Sequence, residues 1–127
     1  MHFHRLSYLL LVFATTSPGW AADSIGDPAA GKSVIGRCSG CHSIEPNHNM
    51  IGPSLAGVVG RPVASVPGFA YSPALVKGRG ATWTTTTLDA YLASPAKAYP
   101  GNRMGFSVPD PRTRADIVAY LATLKGK

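Results

Sequence analysis

Cys38-Ser39-Gly40-Cys41-His42 is the stretch on which the reading of this chain turns. These are the only two cysteines in 127 residues, three positions apart, with a histidine directly after the second. A redox-active C-x-x-C pair belongs in a βαβ context, and no alternating strand run precedes Cys38. A structural zinc site needs four ligands; beyond the N-terminal leader described below, His48 is the only other histidine. C-x-x-C-H as a haem attachment needs nothing further from the sequence. Two thiols at this spacing span the two vinyl groups on one porphyrin edge, and the next residue sets an imidazole beneath the iron. The motif therefore points first to one covalent haem c, with Cys38 and Cys41 as thioether positions and His42 as an iron ligand. The dithiol and zinc readings stay open beside it.

Length bounds what surrounds that motif. A chain of 127 residues has room for one domain, and its first two dozen residues do not read as part of it. His2, His4 and Arg5 make a weakly basic start, Leu6 to Ala14 is an apolar run, Pro18 and Gly19 break it, and Gly19-Trp20-Ala21 offers small residues for cleavage. That is the three-part layout of a secretory signal peptide. A spanning helix needs about 20 apolar residues, more than this run provides. The expected organisation is a cleaved signal peptide over 1–21, with cleavage after Ala21 or else Ala22, and one haem domain over 22–127. Of the 12 basic residues, loss of Arg5 leaves 11 against 6 acidic ones, a net charge of +5. Export places the mature protein in the periplasm, with no membrane insertion after cleavage. A core this small gains from a bound cofactor.

The second iron ligand decides between a carrier and a catalyst. Met50 and His48 lie within eight residues of His42, on a short loop that stays on the near side. Met104 is 62 residues beyond His42, in the unpatterned stretch Pro100-Gly101-Asn102-Arg103-Met104-Gly105, as suits a loop folded over a cofactor. A lone methionine is also ordinary core filler, and spacing alone does not separate the two.

Helical signals surround the motif. Asp27-Pro28 opens a helix that runs to about the cysteines, and Ser72-Pro73 opens a short one that ends at Gly78. Leu88, Tyr91 and Leu92 recur at helical spacing before Pro95 stops the segment; the threonines from Thr84 to Thr87 argue for a strand, unless one serves as a cap. Asp110-Pro111 opens a last helix whose apolar stripe is Ile117, Tyr120, Leu121 and Leu124. No second C-x-x-C-H is present, so one haem per chain is expected.

Taken in order, these residues resemble class I cytochrome c of the mitochondrial and alphaproteobacterial type. Besides the haem motif, the resemblance runs through Gly52-Pro53-Ser54-Leu55, Gly60-Arg61, Gly68-Phe69-Ala70-Tyr71, Gly80-Ala81-Thr82-Trp83, Leu88 to Pro95, Pro100 to Met104 and Ala115 to Leu124, covering about Gly26 to Lys125. It implies an all-α fold of about four to five helices around one covalent haem, the first and last crossing at Gly31. It implies His42 and Met104 as the axial iron ligands and the Pro53 carbonyl as the acceptor for the His42 N–H. It also sets Tyr91 near the Met104 sulfur, with Arg61, Tyr71, Trp83 and Asn102 helping to satisfy the haem propionates. The chain departs from the usual pattern at Ile35, where an aromatic is common, at Asn102, where Thr or Ser is common, and in its threonine run.

With both axial positions filled, the implied function is electron transfer through the haem edge, with no catalytic residues. Displacement of Met104, giving an enzyme or gas sensor, is one alternative; a redox subunit dedicated to one periplasmic dehydrogenase is another. Arg37 and Arg103 directly precede Cys38 and Met104, and Lys32 and Lys97 are candidate neighbours. Such a cationic ring would steer a monomeric carrier onto acidic surfaces of redox partners. Scattered basic residues on an exported chain exclude nucleic acid as the expected partner.

Overall fold

Four of the five helices among the described residues begin alike, with a small polar side chain followed by proline. The computed structural model describes residues 26–126. The expected signal peptide and its cleavage site lie outside the described residues. The helices are α1 (Pro28–Val34), continued by a 3₁₀ turn (Ile35–Arg37), α2 (Pro73–Lys77), α3 (Thr85–Ala93), α4 (Pro95–Ala98) and α5 (Pro111–Leu121). Asp27, Ser72, Ser94 and Asp110 cap α1, α2, α4 and α5, each accepting a backbone N–H of the first turn. Proline then fills a position whose own N–H would have no helical acceptor. Among the described residues there are isolated bridges, Pro62 with Thr82 and Arg79 with Ala81, but no strand. The fold is all-α.

The threonine run resolves in favour of the cap. Thr84 Oγ1 accepts from the Thr87 N–H at 3.1 Å, while Thr87 Oγ1 accepts from the Thr84 N–H at 2.8 Å. This reciprocal box satisfies two donors at the start of α3, which offsets the poor helix propensity of β-branched residues. Two expectations shift slightly. Pro95 does end α3, but it also begins α4. Leu124 falls beyond the end of α5, where it packs half-buried against the core.

α1 crosses α5 and packs chiefly on it, and α5 also carries α3. The crossing depends on Gly31, since a methyl group there would overlap the Asp116 carbonyl and stand 2.8 Å from Tyr120 Cβ. The Asp116 carboxylate also accepts from the Asp27 N–H at 2.8 Å, so the start of α1 is tied to the middle of α5. Arg114 joins α5 to α3 through Asp89 at 2.8 Å and reaches the Val108 and Pro109 carbonyls. Its side chain is only 13% exposed, and those carbonyls help offset the desolvation of its charge. Among the described residues, no helix is long and apolar enough to cross a membrane.

Replacing Gly31 by Ala separates propensity from packing. Helix propensity would favour alanine by up to about 1 kcal/mol, whereas forced overlap in a packed interface costs about 1–3 kcal/mol or more. Gly31→Ala should therefore lower the midpoint of denaturant unfolding. Gly36→Ala, at a site with nothing within 4 Å of the added carbon, should not.

Candidate functional site

The inner faces of these helices do not close on one another. They enclose a cavity of about 460 Å³. Its walls are largely the core itself: Val58, Ala64, Trp83, Leu88, Tyr91, Leu92, Ile117 and Leu121 are buried and also line it. Cys38, Cys41 and His42 stand along this cavity, and Met104 joins the same lining from the loop before α5.

The motif is set by a turn that follows the 3₁₀ segment. The Cys38 carbonyl accepts from the N–H groups of both Cys41 and His42, at 3.0 and 2.9 Å. This turn presents both sulfurs and the imidazole to one cavity, with Cys38 half-buried and Cys41 exposed. Burial pushes the Cys38 thiol up from its ordinary value; Arg37 opposes this, and Cys41 adds to it. His42 Nδ1 lies 2.7 Å from the Pro53 carbonyl oxygen. An Nδ1–H donating there leaves Nε2 with a lone pair, the form that binds a metal.

Gly52 carried no role in the sequence reading beyond its place in the Gly-Pro-Ser-Leu stretch. It is buried, and a methyl group there would strike the His42 ring. Ser54 was missed in the same way. Its Oγ donates to the Glu45 carbonyl at 2.6 Å and accepts from the Ala56 N–H at 3.2 Å, while its own N–H donates to Asn49 Oδ1 at 3.0 Å. These bonds hold the loop that carries Pro53. The only sequence signal was a small polar residue directly after Pro53, and its partners are up to nine positions away.

Arg61 lines the cavity and is held by two bonds from one terminal nitrogen, to the Ser54 carbonyl at 2.8 Å and the Ala56 carbonyl at 3.0 Å. Its Nε is the one buried side-chain polar atom among the described residues that lacks a partner. Burial lowers the guanidinium from its usual pKa, and Tyr71 pulls the other way. A buried, charged donor with a free N–H calls for an anionic acceptor. Tyr71 also lines the cavity, and its hydroxyl accepts from the Val66 N–H at 3.0 Å, leaving its proton to donate. Trp83 and Tyr91 pack with ring centres 5.0 Å apart on the same wall. Burial, with Tyr99 adding to it, pushes the Tyr91 phenol up to about 12, so it stays protonated at neutral pH.

Asn102 departs from expectation. It does not line the cavity, and both protons of its amide are committed to carbonyls, those of Pro95 at 2.7 Å and Tyr99 at 2.8 Å. It has no proton left for a propionate, so the reading of Asn102 as a propionate donor does not hold in this geometry. Of the four basic residues, Arg37 and Arg103 line the cavity, whereas Lys32 and Lys97 are exposed away from it. Ile51 and Phe106, 81% and 42% exposed, stand on the same lining.

Among the described residues, no three His, Cys, Asp or Glu side chains gather as a metal site, so zinc has no ligand set here. The absence of strands around the motif likewise leaves the dithiol reading without its βαβ frame. No protein-family model matches the chain. Individual relatives do. A cytochrome c2 from Rhodopila globiformis is 47% identical over 102 residues, which span 79% of this chain and 95% of that protein. Among solved structures, cytochrome cH from Methylobacterium extorquens superposes with a TM-score of 0.72 at 43% identity, covering 77% of this chain and 99% of its own. The chain belongs to the class I c-type cytochromes. Cytochrome c2 from Rhodospirillum centenum gives the same TM-score at 36% identity, covering 79% and 99%.

The cofactor of this cytochrome is therefore covalent haem c with its iron, and its activity is electron transfer rather than catalysis. The residues present suit that group. An apolar cleft is edged by two thiols and an imidazole with its second nitrogen already engaged, and an unpaired Arg61 N–H matches an anionic carboxylate. Gly52→Ala is expected to push the His42 ring off the Pro53 carbonyl. The ratio of haem absorbance to protein absorbance in the purified variant should fall, with the remaining haem spectrally altered.

Proposed function

We propose that this cytochrome is a periplasmic shuttle that carries one electron at a time between redox partners, with His42 and Met104 as the axial ligands of its iron. One observation supports the reading above the rest: the imidazole of His42 and the thioether-bearing Met104 both line a single apolar cavity. The His42–Pro53 bond strengthens the ligand role, because it fixes the tautomer and makes the imidazole more electron-rich. Bound haem supplies the redox chemistry, an iron atom that alternates between iron(II) and iron(III).

The chain's own residues account for the rest. Cys38 and Cys41 would hold the group through thioethers, so that it is not lost between partners. His42 and the Met104 sulfur would hold the iron in either oxidation state, which would keep rearrangement small. A thioether ligand favours the reduced state. The wall of Val58, Leu88, Leu92 and Ile117 excludes water and acts in the same direction. Arg61 and Tyr71 would each offer an unengaged proton to a carboxylate of the group.

Secretion is supported by the leader pattern in residues 1–21 and by the kinship with cytochromes c2. Arg37 and Arg103 beside the cavity, with Lys32 and Lys97 further out, would draw a monomeric carrier onto acidic surfaces of its partners.

Two measurements test this. The oxidised wild-type protein should show an iron–sulfur charge-transfer band, and the reduced protein should bind carbon monoxide poorly at neutral pH. Met104→Ala should lose the band and bind carbon monoxide readily; strong binding by the wild type would remove the closed-site reading. Electron-transfer rates with an acidic redox partner should fall as ionic strength rises, because salt screens steering charges. A rate that barely changes would leave the basic residues as ordinary surface.

A further inference from the structure

We infer that Asn102 is a four-point clamp that positions Met104, and that its amide, rather than contact with the cofactor, is what keeps the sulfur in place. The inference rests on Met104 as the second ligand.

Every hydrogen-bonding position of the Asn102 amide is occupied by protein. Nδ2 donates to the carbonyls of Pro95 and Tyr99, at 2.7 and 2.8 Å. Oδ1 accepts from the Met104 N–H at 2.8 Å and from the Tyr91 hydroxyl at 3.3 Å. An amide of this kind has two protons and two acceptor sites, so the group is saturated. Its partners come from α3, from the first residue of α4, from the turn after α4 and from Met104 itself. One side chain thus ties the methionine's backbone to the two helices before it.

The segment needs such a tie. Gly101, at φ +90°, and Gly105 flank Asn102-Arg103-Met104, and glycines lower the barrier to rearrangement. From Gly105 to Ser107 no backbone N–H finds a protein acceptor among the described residues; the next is Val108, which donates to Leu92 at 2.8 Å. The other side-chain tether is weaker, Arg103 to the Ala70 carbonyl at 3.3 Å on an exposed residue. The Asn102 N–H also donates to the Tyr99 carbonyl at 3.0 Å, and among the described residues Asn102 Oδ1 makes the one hydrogen bond to the Met104 backbone. Tyr91 is buried, and its hydroxyl donates to Oδ1.

The discriminating variant is Asn102→Thr. A threonine hydroxyl could still donate one bond to a carboxylate of the cofactor, but it cannot serve four partners on three elements. Both Asn102→Thr and Asn102→Ala holoproteins, compared with wild type, are titrated with imidazole in the oxidised state while the iron–sulfur charge-transfer band is followed. The clamp predicts that imidazole displaces the methionine at concentrations roughly tenfold lower in both variants, the scale of one or two lost hydrogen bonds. Far-UV circular dichroism should stay near wild type. If Asn102→Ala fails to mature, Asn102→Thr decides alone. An imidazole affinity in Asn102→Thr equal to that of wild type overturns the clamp. Absence of the band in wild type would instead remove Met104 as the ligand, a separate failure visible before any variant is made.

Discussion

A flat apolar group has to be enclosed by a chain of about one hundred residues, and the same side chains must serve as the wall of that enclosure and as the core. Val58, Trp83, Leu88, Tyr91, Leu92, Ile117 and Leu121 do both. Apolar burial contributes about 25 cal/mol per Å², and atoms that face a void forfeit their dispersion contacts. The helices consequently pack on one another only in part, α1 on α5 and α3 on α5, and the remaining apolar surface is matched by the cofactor.

This constraint explains where polar atoms are spent. The His42 ring is oriented by one carbonyl, that of Pro53, and Pro53 is held by a loop whose own bonds run through Ser54, Asn49 and Glu45. Arg61 is fixed by two carbonyls and keeps one buried N–H unpaired. An unpaired buried donor costs on the order of 1–3 kcal/mol, so it persists only where a bound partner recovers that cost. The polar groups facing the cavity are thus few, each with a defined direction. The loop that carries Met104 is tied by the Asn102 amide, which does not itself line the cavity.

Local signals carried much of the architecture. Asp27-Pro28, Ser72-Pro73 and Asp110-Pro111 each announce a helix start because the cap and the proline act within one turn. The threonines at 84–87 were ambiguous, since β-branching favours strand while a hydroxyl favours a cap; the reciprocal Thr84–Thr87 pair settles it. Pro95 was legible as a stop and not as a start. Its second role depends on Ser94 adopting an extended backbone that both ends one helix and caps the next.

The sequence by itself pointed to a covalent haem, marked His42 directly after the second cysteine and announced most of the helix starts. Those properties rest on neighbours one to four positions apart, and chain connectivity alone brings such neighbours together. It also marked Met104, through an ordered likeness to one family. Only the tertiary structure decided what Gly52 and Asn102 are for, and which atoms make Gly31 necessary at the crossing. Gly31 answers to Asp116 and Tyr120, Gly52 to the His42 ring, and the Asn102 amide to groups on residues 91, 95, 99 and 104. The absence of a side chain and the saturation of an amide become meaningful only when the surroundings are known. Spacing along the chain does not report which atoms a fold brings within hydrogen-bonding or van der Waals reach.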